Sequence, residues 1–225
     1  MRTISNEDRL LLARHERAVR LSIDAVERAA GASLSIETPC AGWDLRALLE
    51  HMGTQNRGFA AAASGGNDPA VWVVHRAVDP IGDYVRSAHD VVEAFATCEA
   101  RTVFLPEIPP GHFPAATALG FHLIDSVVHA WDVARSVGHD IDLDSDLAPT
   151  ALRIAEAVPT GKARLHPRAA FGPALEVADT TATLARIVGI LGRSPEWQPG
   201  ALEQRQRFAA GRNELPESTV RHEFG

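Results

Sequence analysis

The sequence predicts an all-α protein: a bundle of four long helices with one long crossover between the second and third, followed by short C-terminal helices. Three observations lead there. Apolar residues recur at intervals of three, four and seven over four separate stretches, the pattern of helices that bury one face. Each stretch begins at a proline or ends at a glycine. Runs alternating between apolar and polar residues, which would make half-buried strands, are nearly absent.

The first stretch runs from Asn6 to Ala30 through Leu11, Leu12, Val19, Ile23 and Val26, with Arg, Glu and Asp between them, and stops at Gly31. Thr38-Pro39-Cys40 breaks the chain. Trp43-Asp44-Leu45 then opens a second helix through Leu48, Leu49, Met52 and Phe59 to Ala63, closed by Ser64-Gly65-Gly66, and the two are expected to form a helical hairpin. Asn67 to Val78, with Pro69 and the apolar run Val71-Trp72-Val73-Val74, reads as the long connection. Pro80 sits in the first turn of a third helix reaching about Cys98, where its missing N–H has no partner to lose. Arg101 to Gly111 is proline-rich and reads as loop or a single edge strand, and Phe113 to Val137 is the longest helical pattern. Leu147 to Val158 and Thr181 to Leu191 are shorter helices around a Pro/Gly-rich connection. Residues 1–197 are read as one bundle domain and 198–225 as a polar C-terminal tail too weakly patterned to build a core.

At 225 residues and 24.2 kDa, with 45% hydrophobic and 23% charged residues, the chain has the composition of a folded domain rather than a disordered one. A net charge of -7 argues against a phosphate-coating surface, which needs clustered Lys and Arg. Small molecules are the expected partners, not nucleic acid or membrane, and the expected state is monomer or homodimer. No stretch is long and apolar enough to span a bilayer, and the N-terminal residues lack the basic-then-apolar order of a signal peptide, so a cytoplasmic location is expected. Two cysteines, Cys40 and Cys98, make no disulfide framework and no CxxC pair.

The chemistry-bearing residues are histidines and carboxylates. On its helix His51 falls beside Leu48, Met52 and Phe59, at the border of the buried face. On the long helix His122, Asp125 and His129 recur at three, four and seven and share one side, with Asp132 extending the stripe. Two histidines and a carboxylate converging from two helices would give three ligands for a divalent cation, as bundle proteins build such sites. The candidate ligands are His51, Asp125 and His129, with His122 as a fourth ligand or a supporting group. The competing reading is that the stripe is only the solvated face of an amphipathic helix whose opposite arc holds Leu119, Leu123, Val127 and Trp131. The absence of Lys, Arg and Glu between Thr117 and Ala134 favours the metal.

The remaining histidines, His15 among them, read as surface or capping residues, and Trp43 and Trp131 as core anchors. Asp140, Asp142, Asp144 and Asp146 lack the glycine and the glutamate of a calcium loop and read as a solvated turn capping the next helix. Cys40 reads as a small buried residue or, near a helix start, a reactive thiol.

The segments Thr38-Pro39-Cys40-Ala41-Gly42-Trp43-Asp44-Leu45-Arg46-Ala47-Leu48-Leu49-Glu50-His51 and His122-Leu123-Ile124-Asp125-Ser126-Val127-Val128-His129-Ala130-Trp131-Asp132-Val133-Ala134 resemble the two signatures of the DinB-like metalloenzymes related to mycothiol-dependent maleylpyruvate isomerase. Phe171-Gly172-Pro173 and Leu191-Gly192-Arg193-Ser194-Pro195-Glu196-Trp197 extend the similarity to actinobacterial members. The resemblance implies a DinB-like four-helix bundle holding a metal, usually zinc, on His51, Asp125 and His129. Two departures are visible: the isomerases have Glu where this chain has Asp125, and they carry a further C-terminal domain for which this length leaves no room.

What the resemblance implies for function is a metal-dependent enzyme, carrying Zn²⁺ or else Ni²⁺ or Fe²⁺, that activates mycothiol or another low-molecular-weight thiol for transfer to an electrophile. His122 is the candidate proton shuttle, and Gln55, Asn56 and Phe59, one and two turns beyond His51, are the candidate pocket lining. The alternatives are a thiol-independent isomerase, lyase or hydrolase of secondary metabolism, and a binding module whose metal is structural.

Overall fold

Ser5 starts the first helix: its hydroxyl accepts from the Asp8 amide at 3.0 Å, and Glu7 and Asp8 place negative charge in the first turn. In the computed structural model, which describes residues 5–165, 169–178 and 181–200, this helix, α1, spans Asn6–Arg28. The tail beyond residue 200 lies outside the described residues. Thr38 ties off the turn that follows, donating to the Trp43 carbonyl and accepting from the Cys40 amide, and the Asp44 carboxylate then caps α2, Leu45–Ala63. Asp79 caps α3, Pro80–Ala96, with Pro80 in the first turn as the sequence predicts.

Arg101 to Gly111 departs from the expected loop or lone strand. Thr102–Phe104 (β1) pairs antiparallel with His112–Pro114 (β2), Val103 opposite Phe113, so the start of the predicted fourth helix is taken by a strand. Val103 and Leu105 are buried against α2 and α4, which explains why this short ribbon forms at all. Helix α4 then covers Ala115–Ser136, and α5 and α6 cover Leu147–Ala157 and Thr183–Ile190. Asp144 accepts from the Leu147 amide at the start of α5, as the acidic turn predicts.

Helix α1 packs against α3 and α4, and so does α2. The expected α1–α2 hairpin is therefore not a neighbouring pair: the two helices face each other across the bundle, because each needs both α3 and α4 to cover its apolar stripe. Residues 64–79 make the long connection between α2 and α3. Trp72, in a short 3-10 turn at Pro69–Trp72, plugs into α2 at Gly58, where a Cβ would meet the indole at 2.5 Å. Gly58→Ala is expected to destabilise the protein by about 1–3 kcal/mol through overpacking, read by urea unfolding; an unchanged midpoint would mean that Trp72 does not seat there.

Helix α4 is buried nearly all round, since α5 and α6 cover the arc of Leu123, Val127 and Trp131 while α1 and α2 cover the arc of His122 and His129. The solvated-face reading of the polar stripe is thereby excluded. His122, His129 and Asp132 are buried, and only Asp125 keeps some exposure. Every buried side-chain nitrogen and oxygen among the described residues has a hydrogen-bond partner. No helix among the described residues is long and apolar enough to cross a membrane.

Candidate metal centre

Where α2 meets α4, one ligand atom each from His51, Asp125 and His129 lie within 4.8 Å of one another. The His129 Nε2 is 3.4 Å from Asp125 Oδ1, and the His51 and His129 rings meet edge to face with centroids 5.4 Å apart. The i, i+4 spacing puts Asp125 and His129 on one side of α4, and α2 brings His51 to them. Zinc–nitrogen and zinc–oxygen bonds near 2.1 Å place two donors of a tetrahedron about 3.4 Å apart, so the carboxylate and imidazole already stand at ligand spacing. The shorter Asp125, where the isomerases have Glu, reaches that spacing directly.

The electrostatics favour a cation here. Burial opposes charge on His129, but the charge of Asp125 and the hydrogen bonds the ring donates to Asp125 and Asp132 raise its pKa well above the usual value. Burial would raise Asp125, yet His129 and, more weakly, His51 and His122 hold it below the ordinary carboxylate range. His51 goes the other way: burial and then the like charge of His129 lower it to about 4, so its imidazole is neutral and its lone pair free for a cation at pH 7. His129 thus stands between the carboxylates of Asp125 and Asp132, which favour its protonated form.

A second group, Cys40, His129 and Asp132, also brings three ligand atoms within 4.8 Å. It is poorly suited to a metal, because the Arg193 guanidinium lies 3.2 Å from both Cys40 Sγ and Asp132 Oδ2 and fills the position with positive charge. These contacts are hydrogen bonds: His129 Nδ1 donates to Asp132 Oδ2 at 2.9 Å and the Cys40 thiol donates to the same oxygen at 3.1 Å.

His122 does not join the triad. One ring nitrogen bonds His15 at 2.8 Å and the other Asn56 Oδ1 at 2.9 Å, and Asn56 donates onward to Ser87. Ser87 donates to the Tyr84 carbonyl, so it accepts from Asn56, the amide oxygen faces His122, and His122 carries its proton on Nε2. Burial lowers its pKa to about 4, with the charge of Asp125 opposing. With both nitrogens engaged in the core, His122, expected as a proton shuttle or supporting group, stands as an internal tie between α1, α2 and α4. Asn56 and Phe59, expected to line a pocket, are both buried, Asn56 bonded to His122 and Ser87 and Phe59 packed against Trp72, Phe95 and His122. Gln55 is partly exposed and donates to Glu107 beside the hairpin, at 3.0 Å.

Two side chains stand differently from their sequence reading, and a third, Arg193, had no role assigned to it from sequence. His15 is buried at 1% exposure as the partner of His122, because it faces α4 from the middle of α1. Trp43, expected in the core, is 38% exposed and covers the outer side of His51 with ring centroids 4.6 Å apart. Arg193 reaches the centre from the turn after α6, where Gly192 takes φ +81° and a Cβ would meet the Gly172 backbone at 2.8 Å. Of the other histidines, His75, His89, His112 and His139 are exposed as expected, and His166 and His222 lie outside the described residues. A surface depression of about 470 Å³ beside Arg46, Glu50 and Arg76 does not include the triad.

A helical bundle with two histidines and a carboxylate converging from facing helices defines a candidate metal-binding bundle. Residues 15–134, more than half of the chain and spanning most of α1 through α4, match the family described as the mycothiol maleylpyruvate isomerase N-terminal domain, and the chain belongs to that family. Among curated proteins it is similar to two described as uncharacterized from Mycobacterium tuberculosis, one of strain CDC 1551 / Oshkosh and one of strain ATCC 25618 / H37Rv. Each is 26% identical over 152 residues, covering 65% of this chain and 78% of the relative. No solved structure matches the chain.

Proposed function

We propose that this chain is a metal-dependent enzyme that joins a low-molecular-weight thiol, mycothiol by its family, to an electrophilic small molecule. The observation that carries the reading is the convergence of His51, Asp125 and His129 at a point that is only partly closed, with the Asp125 side chain 22% exposed and Trp43 at the rim. Three protein donors with room for a further ligand are the pattern of catalytic rather than structural zinc sites, and His122, engaged on both nitrogens, does not offer a fourth. A divalent cation at these residues, zinc before nickel or iron, would favour the thiolate form of a bound thiol and polarise the electrophile.

The chain's own residues have separate tasks in this reading. Asp125 and His129 hold the cation from α4 and His51 from α2, while Trp43 offers an apolar wall beside the reacting groups. With an epoxide as electrophile, a carbon–sulfur bond forms, a carbon–oxygen bond breaks, and the thiol proton ends on the released oxygen. The net charge of -7 supports a small-molecule rather than a nucleic-acid partner.

Zinc-loaded protein incubated with mycothiol and monobromobimane or an epoxide tests the reading. A metal-dependent adduct above the uncatalysed rate is the expected result. Turnover of an electrophile without thiol would move the assignment to a metal-dependent hydrolase or isomerase, and unfolding of the chain on zinc removal would make the metal structural.

A further inference from the structure

Arg193 lies beyond the stretch matched by the family, yet it is 8% exposed and points at the centre. Its Nη2 is 3.2 Å from Asp132 Oδ2 and 3.2 Å from Cys40 Sγ, and its Nε is 3.5 Å from Asp132 Oδ1. It is itself anchored: Nη1 donates to the Leu191 carbonyl at 2.9 Å, and the guanidinium lies 5.5 Å from the centroid of the Phe171 ring. Asp132 is fully buried, and its Oδ2 also accepts the Nδ1 proton of His129 at 2.9 Å.

Resting on the metal reading above, we propose that Asp132 and Arg193 are positioning residues for His129. The guanidinium fixes the buried carboxylate, the carboxylate accepts the hydrogen bond from the Nδ1–H, and Nε2 is thereby committed to the triad with His51 and Asp125.

An imidazole presents either nitrogen, and the hydrogen bond at one decides which is offered at the other. On α4 the ring of His129 stands between two carboxylates, Asp125 at Nε2 and Asp132 at Nδ1, so without a fixed acceptor it would be free to turn either edge to a cation. Asp132 is a fixed acceptor only if held by something other than the ring it orients, and the arginine of α4, Arg135, is directed away to Asp140 and the Trp197 carbonyl. The Cys40 thiol donates to the same oxygen but carries no positive charge. Arg193 supplies a permanent one in a planar fork touching both carboxylate oxygens, a geometry that lysine cannot copy. The segment from α6 to Trp197 is on this account part of the centre: Gly192 turns the chain so that Arg193 enters beside Cys40, and the Trp197 carbonyl accepts from Arg135 on α4.

The test is zinc affinity by chelator competition on the full chain, with no turnover involved, for wild type, Asp132→Asn, Arg193→Met, Arg193→Lys and the double variant Asp132→Asn/Arg193→Met. Asp132→Asn and Arg193→Met are each expected to weaken zinc binding by about 10- to 100-fold, with Arg193→Lys between Met and wild type. Because Arg193 acts through Asp132, the double variant should match Asp132→Asn within about twofold; multiplied losses would mean that Arg193 acts otherwise and overturn the relay. Unchanged or tighter binding by a folded Arg193→Met protein overturns it as well. Should that variant fail to fold, nitrogen NMR of the zinc-loaded wild type decides: a protonated Nδ1 on His129 is expected, and zinc on Nδ1 overturns the proposal. Wild type that binds no zinc defeats the metal reading and this inference together, whereas zinc-binding wild type with an indifferent Arg193 defeats this inference alone.

Discussion

His129→Ala is expected to abolish stoichiometric zinc binding and, separately, to destabilise the metal-free protein by about 3–5 kcal/mol, the usual cost of breaking a buried charge pair from one side. The imidazole sits between Asp125 and Asp132, at 3.4 Å and 2.9 Å, and its removal leaves both carboxylates short of their partner. His51→Ala is expected to weaken zinc binding severely but to change metal-free stability by only about 1 kcal/mol, a typical figure for a single substitution. His51 packs through ring contacts with Trp43 and His129 and is neutral at pH 7, so no charge is orphaned. Urea unfolding in chelator measures the stability arm, and zinc competition the binding arm. Equal stability of the two metal-free variants would show that His129 does not bridge the carboxylates.

Metal-free protein is expected to lose stability steadily as pH falls from 6.5 toward 4, by about 2 kcal/mol at pH 5 from His122 alone at 1.36 kcal/mol per pH unit. Burial, opposed by Asp125, sets the His122 pKa at about 4 in the folded chain, against about 6.5 unfolded. Between those values the unfolded state takes up a proton that the folded state excludes, so this contribution is complete above pH 6.5 and is lost as pH falls. Burial and then His122 depress His15, which adds in the same sense, as does His51. His129, with its raised pKa, stabilises fully below pH 6.5 and loses its contribution only at higher pH, so it does not mask the effect. Urea unfolding at pH 6.5 and 5 measures the slope, which should shrink in His122→Gln; a flat profile would mean that the buried imidazoles accept protons without cost.

The helices were legible because periodicity reports burial, and burial is what makes these segments helical. Ser5, Asp44 and Asp79 cap as their residue types suggest, and Pro80 sits where its missing donor costs nothing. The hairpin was not legible: Thr102–Phe104 and His112–Pro114 are too short to show alternation, and their pairing depends on α2 and α4 lying beneath them. His122 shares the helical side of Asp125 and His129 in sequence, and nothing in that spacing reveals that His15 and Asn56 have taken both its nitrogens. Arg193 carried no periodic signal, since it acts from a turn against a helix sixty residues earlier.

The sequence by itself determined which segments are helical, where they start and stop except at the strand that takes the start of the fourth, and that one side of α4 carries histidine and carboxylate in place of the usual surface charges. Those properties are local, fixed by neighbours within a turn or two. Tertiary packing decided which of those polar residues meet: α2 against α4 brings His51 to Asp125 and His129, α1 against α4 ties up His122, and the turn after α6 delivers Arg193 to Asp132. The physical reason is that a buried charge or imidazole is tolerated only where another element supplies its partner, and no spacing along one chain segment states which element that will be.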